Sequence, residues 1–220
     1  MENNSFGPPE DAFEGFEETY GGRQLLGMVW TRPRYVIRYL LQVEPDKYVL
    51  PLLMLMGVSH VLEKAAEKHS GDALGPAGIV LMALVGGPLG GIFSGYVCAA
   101  LLGFTGRWLG GEAEGYQLRT VQAWASVPAI CMLLLLPVEL LFFGGELFRA
   151  HQPTMKASEE LVLELGLAKG VLAVWSVVLF VGGLAEAQQF SVGKALLNIL
   201  LAVGIVVVPL LLLFLLGVSR

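Results

Sequence analysis

The sequence predicts an all-α integral membrane protein, a five-span transmembrane helix bundle with an amphipathic helix ahead of its first span. Three observations carry this. Apolar residues make up 55% of the 220-residue chain against 15% charged. They fall in long blocks instead of at a helical or strand period, leaving no polar faces for a soluble core to turn to water. The blocks are bounded by charges or turn residues and approach the roughly 20 helical residues that cross a ~30 Å hydrocarbon core. They also lack dyad alternation. Because backbone groups in lipid must be paired internally, helices are expected and a barrel is not.

Residues 1–23 come first. Glu2, Glu10, Asp11, Glu14, Glu17 and Glu18 stand there before any Lys or Arg, and supply much of the net charge of −5. Such a segment is expected to be a disordered cytoplasmic tail, with Phe6, Phe13, Phe16 and Tyr20 leaving a short binding motif open. Its acidity argues against nucleic acid or anionic lipid as a partner for this tail. No basic stretch followed by an apolar one opens the chain, so no cleaved signal peptide is expected.

The membrane domain is read as residues 24–217. Within 25–43, Thr31 is placed to cap a helix that tolerates Pro33 in its first turn. Val36, Ile37, Leu40 and Leu41 share one face, and Arg34 and Arg38 lie a turn apart on the other. With Arg32 these arginines are the candidate membrane-surface residues. The pattern fits a helix in the headgroup layer with arginines on lipid phosphate. It fits equally a helix packed under the bundle.

The spans are read at 48–62, 76–104, 121–143, 167–187 and 195–217. The first is short, carries Pro51 and His60, and leaves a re-entrant segment open. In the second, Gly87, Gly91, Gly95, Ala99 and Gly103 recur at every fourth position, with Gly86, Gly90 and Ser94 as a second stripe. Residues four apart share a helix face. The first set is therefore the candidate helix-packing ridge, where small residues let backbones approach closely in lipid. This span is long enough to require tilt, a kink at Pro88 or projection beyond the bilayer. Pro128, Pro137 and Pro209 interrupt later spans. Between the third and fourth, Ser158 is expected to cap a short outer helix opened by Glu159 and Glu160.

Orientation follows from Lys and Arg. Arg23, Arg32, Arg34, Arg38 and Lys47 precede the first span, whereas Lys64 and Lys68 follow it. Over five spans the N-terminal side holds eight of the 14 basic residues. The excess beside the first span places the N-terminus in the cytoplasm.

Convergent polar groups for catalysis are scarce. His60, His69 and His151 are isolated, and HExxH and CxxC are absent. Gly91-Ile-Phe-Ser94-Gly95 has one residue too many for an intramembrane serine-protease motif. Glu17-Glu18 with Arg23 fails the spacing of the prenyl-endopeptidase motifs. Cys98 and Cys131 both fall in spans, where a disulfide or metal site is not expected. No catalytic residue, metal or cofactor is expected. Ionisable groups in spans are functional candidates because each costs ~2.5–3.5 kcal/mol at a helix centre. Glu139, Glu186 and Lys194 form this candidate polar set. Glu139 lies near enough to a span end to reach the interface. Glu186 is expected to pair with Lys194 across the turn between spans four and five, and Asn198 and Trp175 to serve as helix contacts.

Five strings occur in a familiar order around these spans. They are Trp30-Thr-Arg-Pro-Arg34, Gly106-Arg-Trp-Leu-Gly-Gly111, RTVQAWASVP from Arg119 to Pro128, Glu186-Ala-Gln-Gln-Phe-Ser191, and Lys194-Ala-Leu-Leu-Asn198. Together, over about 25–216, they resemble bacterial members of the Yip family, whose eukaryotic relatives interact with Ypt/Rab GTPases. The resemblance implies a five-span bundle in the bacterial cytoplasmic (inner) membrane with its N-terminus inside, and no enzyme or cofactor. The eukaryotic relatives are associated with vesicle traffic, membrane shaping and GTPase recruitment. Asp72-Ala-Leu-Gly-Pro76 departs from their DLYGP motif at its second and third positions, so no GTPase-binding role is carried onto it. The expected function is a non-catalytic membrane protein that organises or adapts other membrane components. Its expected partners are the lipid bilayer and other membrane proteins or a second copy. The rival is a small permease or channel subunit with Glu139 or Glu186 as its coupling group.

Overall fold

The computed structural model describes residues 19–149 and 159–218. The acidic stretch through residue 18, the expected Ser158 cap and His151 lie outside the described residues. Among those described, five helical segments are long and apolar enough to cross a membrane.

Two short helices precede them, α1 (Gly22–Thr31) and α2 (Pro33–Val43). Thr31 ends α1 and caps nothing. The break falls on Arg32, and Pro33 opens α2, where its missing N–H costs no hydrogen bond. α2 packs under the bundle, with Val36, Ile37, Tyr39 and Leu40 buried. The fold also begins earlier than the tail boundary suggests. The Tyr20 backbone N–H donates to the Tyr39 hydroxyl at 3.1 Å, and the two rings meet edge-on with centroids 5.1 Å apart.

The first span is α3 (Val49–Glu67), whose 19 residues rise about 28 Å at 1.5 Å per residue. It is one unbroken helix. Pro51 sits in its first turn, where no N–H is missed. It is also the most enclosed span: 39% of its apolar stretch is buried inside the molecule, against 6% for each of the last two. Its buried face includes Leu52, Leu53, Met56, Gly57 and Ser59.

The second span joins α4 (Gly71–Leu81), a π turn over Met82–Gly86, and α5 (Gly87–Trp108). The irregularity precedes Pro88, which has no N–H to give to the turn before it, so the helix widens there. Gly75 interrupts α4 at φ 65°, a left-handed value that glycine adopts readily. The third span joins α6 (Gly115–Ala125), α7 (Val127–Cys131), a 3₁₀ turn at Met132–Leu134, and α8 (Leu136–Phe143). Its breaks fall at Pro128 and Pro137. The Ala129 N–H turns to the Ser176 hydroxyl instead, at 3.1 Å.

The fourth span is α9 (Glu159–Ala187) and the fifth α10 (Val192–Val218). Glu159 and Glu160 open α9 itself, a continuous 29-residue helix that crosses, and not a separate outer helix. The spans alternate in direction. The end of the molecule that carries α1 and α2, here the near end, therefore also holds the start of α3, the turn after α5 and the α9–α10 turn. Trp30, Tyr48 and Trp108 are exposed there, as expected of aromatic side chains at a membrane interface.

α3 and α5 pack most intimately. A methyl group at Gly57 would overlap the Gly87 carbonyl, and one at Gly91 would overlap the Leu53 carbonyl. Gly87, Gly91, Gly95 and Ala99 are buried along this seam, and Gly103 lies beyond it, half-buried against Leu118. Such backbone approach favours dispersion and weak C–H···O contacts. Gly86, Gly90 and Ser94 face outward.

Candidate functional site

Polar side chains gather at the two ends of the bundle. At the near end they act as joints between helices. The buried Gln188, one residue past α9, accepts the Ala113 N–H at 3.2 Å and donates to the Leu102 carbonyl at 3.2 Å. Asn198 of α10 donates to the same carbonyl at 3.3 Å and accepts the Thr105 hydroxyl at 2.5 Å. Gly106 and Gly111 make room for Gln188, since a side chain at either would collide with its amide. Three of the sequence strings thus converge on one place. There they fasten the end of α5 to the end of α9 and the start of α10 with hydrogen bonds that no water need complete. The Arg119–Pro128 string lies alongside. Its fully buried Trp124 donates from Nε1 to the Lys47 carbonyl at 2.9 Å, and Thr120 donates to the Pro45 carbonyl.

Glu186 differs from its sequence reading. It accepts a hydrogen bond from Arg38 of α2 at 2.6 Å, and no bond to Lys194 forms. Lys194 is exposed, with its ammonium 5.6 Å from the Phe190 ring centroid. The reason lies in helix rotation. Glu186 faces α2, whereas the turn carries Lys194 to the outside. Hydrogen bonding to Glu186 raises the Arg38 pKa above its ordinary value, against the opposing effect of burial. Of the three arginines expected at the membrane surface, Arg38 is therefore committed inward. Arg32 and Arg34 are exposed.

At the far end stands a charged cluster. Glu139 of α8 turns inward, 7% exposed, and pairs with Lys169 of α9 at 2.5 Å. It does not reach outward to the interface. Glu63 of α3 lines the same small cavity of about 20 Å³ beneath Phe148. A wider recess of about 390 Å³ adjoins it, bounded by Glu63, Met132 and Lys169 among others. Two carboxylates and one ammonium thus line one cavity within a few turns of the far ends of their helices. Sequence reasoning missed Glu63 and Lys169 because each looked like a flank of its own span. The available signal was opposite charges at similar depths in three spans. Trp175 Nε1 and the Gln122 carbonyl oxygen are buried without a hydrogen-bond partner among the described residues. No cluster of three metal-ligating side chains occurs among the described residues.

The order of strings and spans can be compared with known proteins. The family model described as Yip1 domain matches residues 26–215. The chain belongs to the Yip1 domain family. The match enters within α1 and leaves within α10, so this Yip1 domain takes in α2, all five spans and both polar ends. No curated protein and no solved structure matches the chain. Asp72–Pro76 of the Yip1 domain lies at the far end, opposite α1 and α2, where Gly75 takes its positive φ.

Proposed function

We propose that this Yip1-domain protein is a non-catalytic membrane protein that organises or adapts other membrane components. It does so in the cytoplasmic membrane of a bacterium, with its N-terminal side in the cytoplasm and no cofactor. The observation that carries the reading is a division of labour among side chains. Arg38 with Glu186, Glu139 with Lys169, and Gln188 and Asn198 with Leu102 spend the polar groups on joining helices. The outer faces of α5, α9 and α10 are apolar and uncovered, with Phe93, Val174 and Leu200 more than 60% exposed. Such faces suit lipid and the helices of other membrane proteins. Extraction of the protein from its native membrane in lipid discs, followed by mass spectrometry, tests this. A reproducible stoichiometric partner is expected; recovery with lipid alone would overturn the reading.

A second reading is favoured by one observation, the cluster of Glu63, Glu139 and Lys169 against a cavity. A Glu139–Lys169 pair with a second carboxylate, Glu63, on the same cavity suits a cation- or proton-coupled permease subunit. Flux into proteoliposomes that is lost in Glu139→Gln and kept in Glu186→Gln would support it. Absence of flux in the unaltered protein would remove it.

A further inference from the structure

A groove of about 300 Å³ runs along the outside of α9 near the near end, walled by Ile37, Val178 and Val181. Its volume is at the small end of the range for ligand sites (~300–1,000 Å³). Pro33 and Arg34 of α2 form one side, and Arg34 is the sole charged residue among those that line it. Gly182 leaves the wall open, since a Cβ there would meet nothing within 4 Å. The lining on α9 runs from Val177 to Gly183, ten to four residues before the helix ends at Ala187. At 1.5 Å per residue this is about 15 to 6 Å below that end.

We propose that this groove binds one anionic glycerophospholipid, with an acyl chain along α9 and the phosphate on Arg34. The charge pattern selects this occupant. Arg38, one turn along α2, is neutralised by Glu186, whereas Arg34 has no hydrogen bond or ion pair among the described residues. A planar guanidinium at the rim of an apolar slot suits a phosphate with a hydrocarbon tail beneath it. A packed transmembrane helix of another protein would leave that charge uncompensated. The long Arg34 stem can lie along the groove while its head stays at headgroup level. The assignment goes beyond the adaptor reading and stands whether or not a protein partner exists.

Native mass spectrometry tests it, using the full chain released from discs of equal dioleoyl phosphatidylglycerol and dioleoyl phosphatidylcholine. One phosphatidylglycerol is expected to stay bound in preference to phosphatidylcholine. Arg34→Gln should weaken that preference about fivefold, the effect of one basic residue at an anionic surface. Arg23→Gln, exposed on α1 and away from the groove, should leave it unchanged. Gly182→Leu has room to fill the groove and should abolish retention of both lipids with melting unaltered. The proposal is overturned if Gly182→Leu keeps its lipid, if Arg34→Gln keeps the preference, if Arg23→Gln weakens it equally, or if a second protein chain emerges in place of lipid.

Discussion

At Glu186 a choice of partner decides how α2 is held. The carboxylate is about four-fifths buried and bonded to Arg38, whose side chain is 26% exposed. Water still reaches both groups, so the pair is weaker than a fully buried one. Arg38→Ala is expected to destabilise the detergent-solubilised protein by about 1–2 kcal/mol, at or below the low end for a charged hydrogen bond because water reaches the pair. Combining it with Glu186→Ala should add less than the sum of the single effects, whereas Glu186→Ala with Lys194→Ala should be additive. A coupling between positions 186 and 194 in thermal denaturation would refute the assignment. This pairing was not legible in the sequence because Arg38 lies 148 positions away, and only the rotation of α9 brings the two together. The same holds for Glu139 and Lys169. Proximity along the chain favoured Lys194, and the folded geometry overruled it. The joining role of Gln188 was equally hidden, since it depends on the space that Gly106 and Gly111 leave open.

Elements fared better, because their signals are long-range patterns carried by many residues. Each block of apolar residues became a span, and the fourfold glycine spacing marked the face of α5 that meets α3. The interruptions at Pro88, Pro128 and Pro137 were also legible, since each proline removes a donor, whereas Pro209, expected to interrupt the fifth span, lies inside the continuous α10. What the spacing left unspecified is which neighbouring helix this stripe meets, and how far along it the contact runs. The contact between α3 and α5 resolves this and allows a paired test. Gly91→Leu should collide with the α3 backbone at Leu53 and Gly57. It should cost about 1–3 kcal/mol or more, as overpacking of a rigid seam does. Gly90→Ala, one residue away and facing open space, should leave stability unchanged or raise it by up to ~1 kcal/mol through helix propensity. Melting temperatures of the two variants in one detergent check both. Equal losses would show that the seam is not the contact holding these helices.

At the scale of the molecule, the short first span decides the topology. Its sequence left open a segment that dips in and returns, since the span read at 48–62 is short and carries Pro51 and His60. In the structure α3 is the most enclosed of the five spans and receives the glycine face of α5 along its length. A segment held this way, about 28 Å long at 1.5 Å per residue, reaches across the ~30 Å hydrocarbon core. A re-entrant α3 would return the chain to its starting side, and the four remaining spans would then bring the C-terminus to that side too. A crossing α3 gives an odd total and puts the two ends on opposite sides. Under the proposed orientation, a reporter active only in the cytoplasm should be bright when fused ahead of Met1 and dark when fused after Arg220. An excess of basic residues beside a span favours its cytoplasmic side, so under the proposed orientation replacing Arg32 and Arg34 with Glu should raise the fraction of bright C-terminal fusions. Bright fusions at both ends of the unaltered protein would mean an even number of crossings. They would also mean that the packing between α3 and α5 forms without α3 crossing.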